Sequence, residues 1–246
     1  MKALLQKFLG YCGYELRARD YALRDLTPEQ RAIVSTVRPF TMTSLERIVA
    51  AVEATEYIAA NAIPGEIVEC GVWRGGSMMA MALTLLRLQK NDRDLYLFDT
   101  FEGMTRPSDM DGTTAQSEWK LNQTQDRNNW CYASLDEVKQ NMASTNYSAA
   151  KIHFVKGKVE DTLHGNAPET IALLRLDTDW YESTLHELEI LYPRLSPGGV
   201  LIIDDYGQWQ GCRRAVNEYF LKHKINLLLH RIDATGRIAI KGASSK

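Results

Sequence analysis

Two short apolar runs end in acids: IALLRLD closes on Asp177, and VLIID closes on Asp204 with Asp205 next. Each run is rich in Leu and Ile and lacks polar alternation, the pattern of a strand covered on both faces in a parallel sheet. If the two strands are neighbours, three carboxylates meet at one sheet edge, the edge at which open α/β sheets bind ligands. Carboxylates crowded together repel unless something positive lies between them, and an all-oxygen donor set suits a hard cation such as Mg²⁺. Each pair also has a blander reading. Asp177 and Asp179 could cap a helix beginning near Tyr181, and Asp204-Asp205 could be a polar loop. Two acidic strand ends on one edge turn the preference toward metal chemistry.

The rest of the chain extends the same alternation. EIVECG is a first strand after Pro64-Gly65, and Gly75-Gly76-Ser77 opens an apolar helix that runs to about Leu88. DLYLFD, KIHFVKG, IALLRLD and GVLIID follow as strands, with a helix over YESTLHELEILYPRL that Ser196-Pro197-Gly198-Gly199 ends. After a helix near 212–222, NLLLHRID and RIAIKG read as an antiparallel hairpin about Ala234-Thr235-Gly236. A mostly parallel, doubly wound (Rossmann-like) sheet closing in an antiparallel hairpin fits the class I methyltransferase fold better than a dinucleotide dehydrogenase.

Residues 1–63 form a helical cap or lid ahead of a main domain at 64–246. Thr27-Pro28-Glu29 starts one helix. Thr43-Ser44-Leu45-Glu46 reads as a capping box opening a second, whose Leu45, Ile48, Val49 and Val52 share a face. Such a face needs covering, as a lid or as half of a homodimer contact. Residues 102–132 are polar and without period, and they follow the second strand, so they read as an active-site lid. Ser134-Leu135-Asp136-Glu137 restarts a helix with another capping box.

A net charge of −2 leaves no electrostatic footprint for nucleic acid or an anionic membrane. No apolar run approaches the ~20 residues a bilayer span needs, and residues 1–20 read as an amphipathic segment rather than a secretion signal. Cys12, Cys70, Cys131 and Cys212 form no CxxC pair, which suits reduced thiols in a cytoplasmic protein. His153 reads as a strand residue, the charged stretch 17–31 as a solvated face.

The loop Glu69-Cys70-Gly71-Val72-Trp73-Arg74-Gly75-Gly76-Ser77 joins the first strand to the first helix. A dinucleotide fingerprint would read GxGxxG; here Trp73 replaces the glycine that admits a pyrophosphate. A cofactor with an α-carboxylate and an amine suits the loop better. Glu69 could accept from the ammonium, and Ser77 with its neighbouring N–H could hold the carboxylate at the helix N-terminus. Asp99 ends the second strand, where a carboxylate commonly takes ribose hydroxyls. The alternative is that the glycines only turn the chain and Asp99 caps a loop; in order and on the right strands, the features favour an adenosine-type ligand.

VECGVWRGGS, LFDTFEGM, LLRLDTDWYESTLHELEILYPRLSPGG and LIIDDYGQWQGCRRAVNEYF together resemble the macrocin O-methyltransferase (TylF-type) family over about residues 64–222. The resemblance implies an S-adenosylmethionine- and Mg²⁺-dependent enzyme of natural product biosynthesis, acting on a small, glycosylated acceptor. By position it makes Asp177, Asp204 and Asp205 the metal ligands and Asp179 the general base. It assigns Glu69, Gly71, Ser77 and Asp99 to the cofactor, with Val159, Glu160 and Asp161 near the adenine. Two other functions stay open: the same chemistry on a phenol or catechol, and a non-catalytic nucleoside-binding module. Trp180, Tyr181, Tyr206 and Trp209 stand equally as a substrate wall and as packing.

Overall fold

The computed structural model describes residues 23–242. The amphipathic reading of residues 1–20, Cys12 and part of the 17–31 stretch lie outside the described residues. Helices α1 (Pro28–Val37) and α2 (Leu45–Ala60) lead into β1 (Glu66–Cys70), α3 (Gly76–Arg87) and β2 (Leu95–Asp99). Next come α4 (Gly112–Leu121), α5 (Leu135–Ala143), β3 (Ile152–Lys156), α6 (Val159–Asn166) and β4 (Ile171–Leu176). The chain continues through α7 (Tyr181–Leu191), β5 (Leu195–Ile203), α8 (Gln210–Lys222), β6 (His230–Arg231) and β7 (Arg237–Ile240).

The strands form one sheet in the order β3-β2-β1-β4-β5-β7-β6. β1 to β5 run parallel, and β7 pairs antiparallel with both β5 and β6. Alternate strand residues face opposite ways. Ile67, Leu97, Leu173 and Ile202 pack toward α1, α2, α3 and α5, while Val68, Phe98, Leu174 and Ile203 pack toward α6, α7 and α8. The chain reverses its winding between β1 and β4, and the crevice at such a switch point is where a doubly wound sheet receives its ligand.

Helix starts follow local chemistry. The Thr27 hydroxyl accepts from the Gln30 N–H at 3.2 Å, and the Gln30 side chain accepts from the Thr27 N–H at 2.9 Å, a reciprocal cap. The two boxes that the sequence leads us to expect are half made. Ser44 caps α2 by accepting from the Arg47 N–H, so the third helical position holds Arg and Thr43 lies outside the cap. Ser134 caps α5, but the Glu137 carboxylate goes to Arg74 at 2.6 Å instead of returning to the cap. Ile48 and Val52 of α2 are buried in this chain's own core, alongside α3.

Two boundaries differ from the sequence reading. β5 begins at Leu195, so Ser196-Pro197-Gly198-Gly199 belongs to a strand; Ile171 pairs with Leu195 but Leu173 with Val200, a bulge that accommodates the proline. The 102–132 stretch carries a helix, α4, whose single buried residue is Ala115.

Candidate active site

At the carboxyl ends of β4 and β5, one oxygen from each of Asp177, Asp204 and Asp205 lies within 4.8 Å of the others. β4 and β5 are neighbours in register, Leu176 beside Ile203, so the residues that follow must emerge together. Asp204 and Asp205 are buried and Asp177 is half-buried. One buried carboxylate oxygen of Asp205, Oδ2, has no hydrogen-bond partner. An unpartnered buried carboxylate oxygen is costly, and a divalent cation among these acids would satisfy it. The donor set is all oxygen and fits Mg²⁺.

Two guanidiniums share the cluster. Arg175, buried within β4, donates to Glu69 Oε1 at 2.6 Å, Asp177 Oδ2 at 2.6 Å and Asp204 Oδ1 at 2.7 Å. Arg47 of α2 pairs with Asp204 Oδ2 and, at 2.9 Å, with Asp233 Oδ2 in the β6–β7 turn. Neither arginine was singled out in the sequence, although an Arg inside IALLRLD is itself a signal, since a charge in a buried strand needs partners. Burial, reinforced by the neighbouring acids, pushes Asp205 and Asp179 well above the usual carboxylate range. Asp177 moves the same way through burial, against the pull of Arg175. Burial raises Glu69 to about 7 even beside Arg175.

The acids open onto a cavity of about 430 Å³ that Gly71, Trp73, Ser77, Asp99 and Asp179 also line. Gly71 is at φ 79°, and a Cβ there would run into the Asp177 carbonyl, so the turn after β1 and the loop after β4 touch backbone to backbone. Asp99 ends β2 and accepts from the N–H groups of Val72 at 2.7 Å, Trp73 at 3.1 Å and Phe101 at 2.7 Å. It therefore fixes the glycine turn while its carboxylate still borders the cavity. Burial raises its pKa against those three hydrogen bonds. Three non-glycine residues on the cavity wall hold a left-handed backbone: Trp73, Cys131 and Asp179, at φ 48°, 51° and 69°. Such strain collects at functional sites.

The remaining expected residues divide. Val159 and Glu160 border a smaller cleft of about 60 Å³ that shares Gly71, Asp99 and Asp177 with the main cavity, whereas Asp161 lies outside both. Glu69 lines neither; Oε1 faces Arg175 and Oε2 is buried without a partner. Of the four aromatic residues, Trp209 lines the cavity and Trp180 is buried behind it with its indole N–H on the Thr105 carbonyl. Tyr181 and Tyr206 turn to α8, donating to Glu218 and Asn217. Trp130, from the 102–132 segment, completes the wall; its ring meets Trp180 at 5.7 Å and Trp209 at 5.8 Å, both edge-on. His153 is satisfied by Asp94 at 2.9 Å.

That segment is tied down by Asp111. Its Oδ1 accepts from the Tyr181 N–H at 2.7 Å, at the start of α7, and its Oδ2 accepts from Ser108. Gly211, at the start of α8, has no room for a Cβ because Asp111 Oδ1 occupies it. No described helix is long and apolar enough to cross a membrane.

Comparison with known proteins gives the family and the fold. The sequence model of the family described as Macrocin-O-methyltransferase (TylF) matches residues 20–239, beyond the stretch that the motifs covered. A tetracenomycin rhamnosyl 4'-O-methyltransferase from Streptomyces olivaceus is 37% identical over 80% of this chain and 73% of its own. A mycinamicin III 3''-O-methyltransferase from Micromonospora griseorubida is 33% identical over 80% of this chain and 76% of its own. Among solved structures, the O-methyltransferase NovP superposes with a TM-score of 0.76 at 32% identity, covering 83% of each chain. A calicheamicin methyltransferase shares the fold, with a TM-score of 0.65 at 16% identity over 94% of this chain and 96% of its own.

Proposed function

The chain belongs to the macrocin O-methyltransferase (TylF) family, and we propose from that premise that it moves a methyl group from S-adenosylmethionine to a hydroxyl of a glycosylated natural product, with Mg²⁺ in the three-acid cluster. One observation carries the reading: three acid oxygens within 4.8 Å of each other beside a glycine turn, one of the acids with a buried, unpartnered oxygen. The relatives' acceptors, named for rhamnosyl tetracenomycin and mycinamicin, support a sugar hydroxyl.

Asp177, Asp204 and Asp205 would hold a divalent ion, which would supply Lewis acidity to lower the pKa of an acceptor hydroxyl. Asp179, two residues past Asp177 on the same cavity wall, accepts the hydroxyl proton and releases it to solvent. Such a base contributes roughly 100- to 10,000-fold. Gly71, Ser77 and the start of α3 receive the methionine end of the methyl donor, whose carboxylate the helix N-terminus favours. Asp99 offers an acceptor for its hydroxyl groups, Glu69 acts from behind the wall by holding Arg175, and Val159 and Glu160 border the adenine end. The acceptor oxygen gains the methyl carbon as the carbon–sulfur bond breaks, and the electron pair stays on sulfur. Trp130 and Trp209 exclude water on the acceptor side. Holding both molecules in line contributes ~7–11 kcal/mol, so no covalent intermediate on the protein is needed.

The test is methyl transfer to a panel of glycosides, with catechols as controls, in Mg²⁺ and in EDTA. Glycoside methylation that EDTA abolishes and Mg²⁺ restores is the expected result. Full activity in metal-free buffer rejects the mechanism, and methylation of catechols alone rejects the acceptor class.

A further inference from the structure

Asp204 is the most heavily paired acid of the cluster. Oδ1 takes Arg175, Oδ2 takes Arg47, and the Thr43 hydroxyl stands 3.5 Å from Oδ2. An ion that claims Asp204 therefore meets a guanidinium on either oxygen. The two guanidiniums are not equally free. The Arg175 side chain is 4% exposed within β4 and also holds Glu69 and Asp177. The Arg47 side chain is 17% exposed, reaches in from α2, and has a second carboxylate in hand at Asp233. Asp233 is prepared for a cation: its Oδ1 accepts from the Thr235 and Gly236 N–H groups, and its Oδ2 takes the Ser44 hydroxyl at 2.6 Å besides Arg47. Those bonds, against the opposing effect of burial, hold its pKa down at about 2.

We propose that Arg47 is a displaceable counter-charge: it neutralises Asp204 in the ion-free protein and withdraws wholly onto Asp233 when a divalent cation takes Asp204. This rests on the three-acid cluster being an ion site. It gives the N-terminal helices a stake in the chemistry, because Met42 and Thr43, just ahead of α2, line the cavity. Ion occupancy and the shape of that wall are then linked through one side chain, and linkage of this kind is reciprocal.

The experiment is calorimetric titration of Mg²⁺ into the wild-type protein, Arg47→Gln, Asp233→Asn and the double variant. Arg47→Gln should bind Mg²⁺ at least about fivefold more tightly, within the range typical of coupled sites. Asp233→Asn keeps the Oδ1 acceptor that caps the turn but removes the charged resting place, so it should bind Mg²⁺ more weakly. In the double variant that weakening should vanish. A simple field effect of the two charges would be additive, and additivity overturns the proposal, as does unchanged or weaker binding in Arg47→Gln. Hydrogen exchange of residues 43–48 should quicken on adding Mg²⁺ to the wild type and not to Arg47→Gln; no change in the wild type counts against the withdrawal. If Arg47→Gln does not fold, Arg47→Met replaces it, since it keeps an aliphatic stem and removes the charge; binding no tighter than wild type then overturns the idea. Ion binding that Asp205→Asn abolishes but Arg47 variants leave alone strikes only the counter-charge. Absence of Mg²⁺ binding in every protein overturns the ion site and the proposal together.

Discussion

Asp179 holds a left-handed backbone at φ 69°, a conformation that Asp and Asn tolerate and most residues do not. Asn is therefore the substitution that separates chemistry from geometry. Asp179→Asn should lower turnover by about 100- to 10,000-fold while calorimetry finds donor and ion binding intact; turnover near wild type would remove Asp179 from the mechanism. Asp205→Asn acts on a different step. It removes charge at the oxygen that lacks a partner, and ion affinity should fall by more than the roughly 10–100-fold that losing a partner behind a metal ligand costs. The acids were legible because strand ends announce themselves. Arg47 and Trp130 were not, because each reaches the site from a distant segment and nothing local marks it.

Among the elements, the 102–132 segment is the least predictable and the most exposed to test. α4 within it buries Ala115 alone, so no apolar stripe betrayed a helix in the sequence. Besides the Trp130 ring contacts, its attachment has a polar tie: Asp111 supplies α7 with the N-terminal acceptor that Trp180, at the capping position, lacks. Asp111→Ala should cost about 1–2 kcal/mol by loss of that cap and make residues 102–132 more susceptible to limited proteolysis. Cleavage no faster than in wild type would show that the segment is held by other contacts. Trp130→Ala should raise the acceptor KM and leave donor affinity unchanged, measured by steady-state kinetics and calorimetry. The parallel strands, by contrast, were plain in the sequence, since covering both faces leaves a continuous apolar run. The boundary missed at Leu195 came from reading Ser196-Pro197-Gly198-Gly199 as turn chemistry when a bulge admits it to a strand.

For the whole molecule, the acid cluster ties stability to pH. Glu69 rises to about 7 through burial, and Asp205 rises well above the carboxylate range for the same reason. When a folded-state pKa is raised, the native state binds more protons than the unfolded one, so stability falls as pH climbs from the unfolded value through the folded value. The ion-free protein should thus lose thermal stability between about pH 4.5 and 7. A cation that prefers the ionised cluster should give more protection at higher pH, so the Tm gain from Mg²⁺ grows across that window; a gain flat from pH 5 to 8 contradicts this. The sheet order has a consequence in time as well. β7 lies between β5 and β6, so the strand leading to Asp204 stays unzipped along one side until the ribosome has delivered residue 240. Nascent chains arrested before Arg237 would present that bare edge to their neighbours, and aggregation during synthesis is the hazard that this late closure creates.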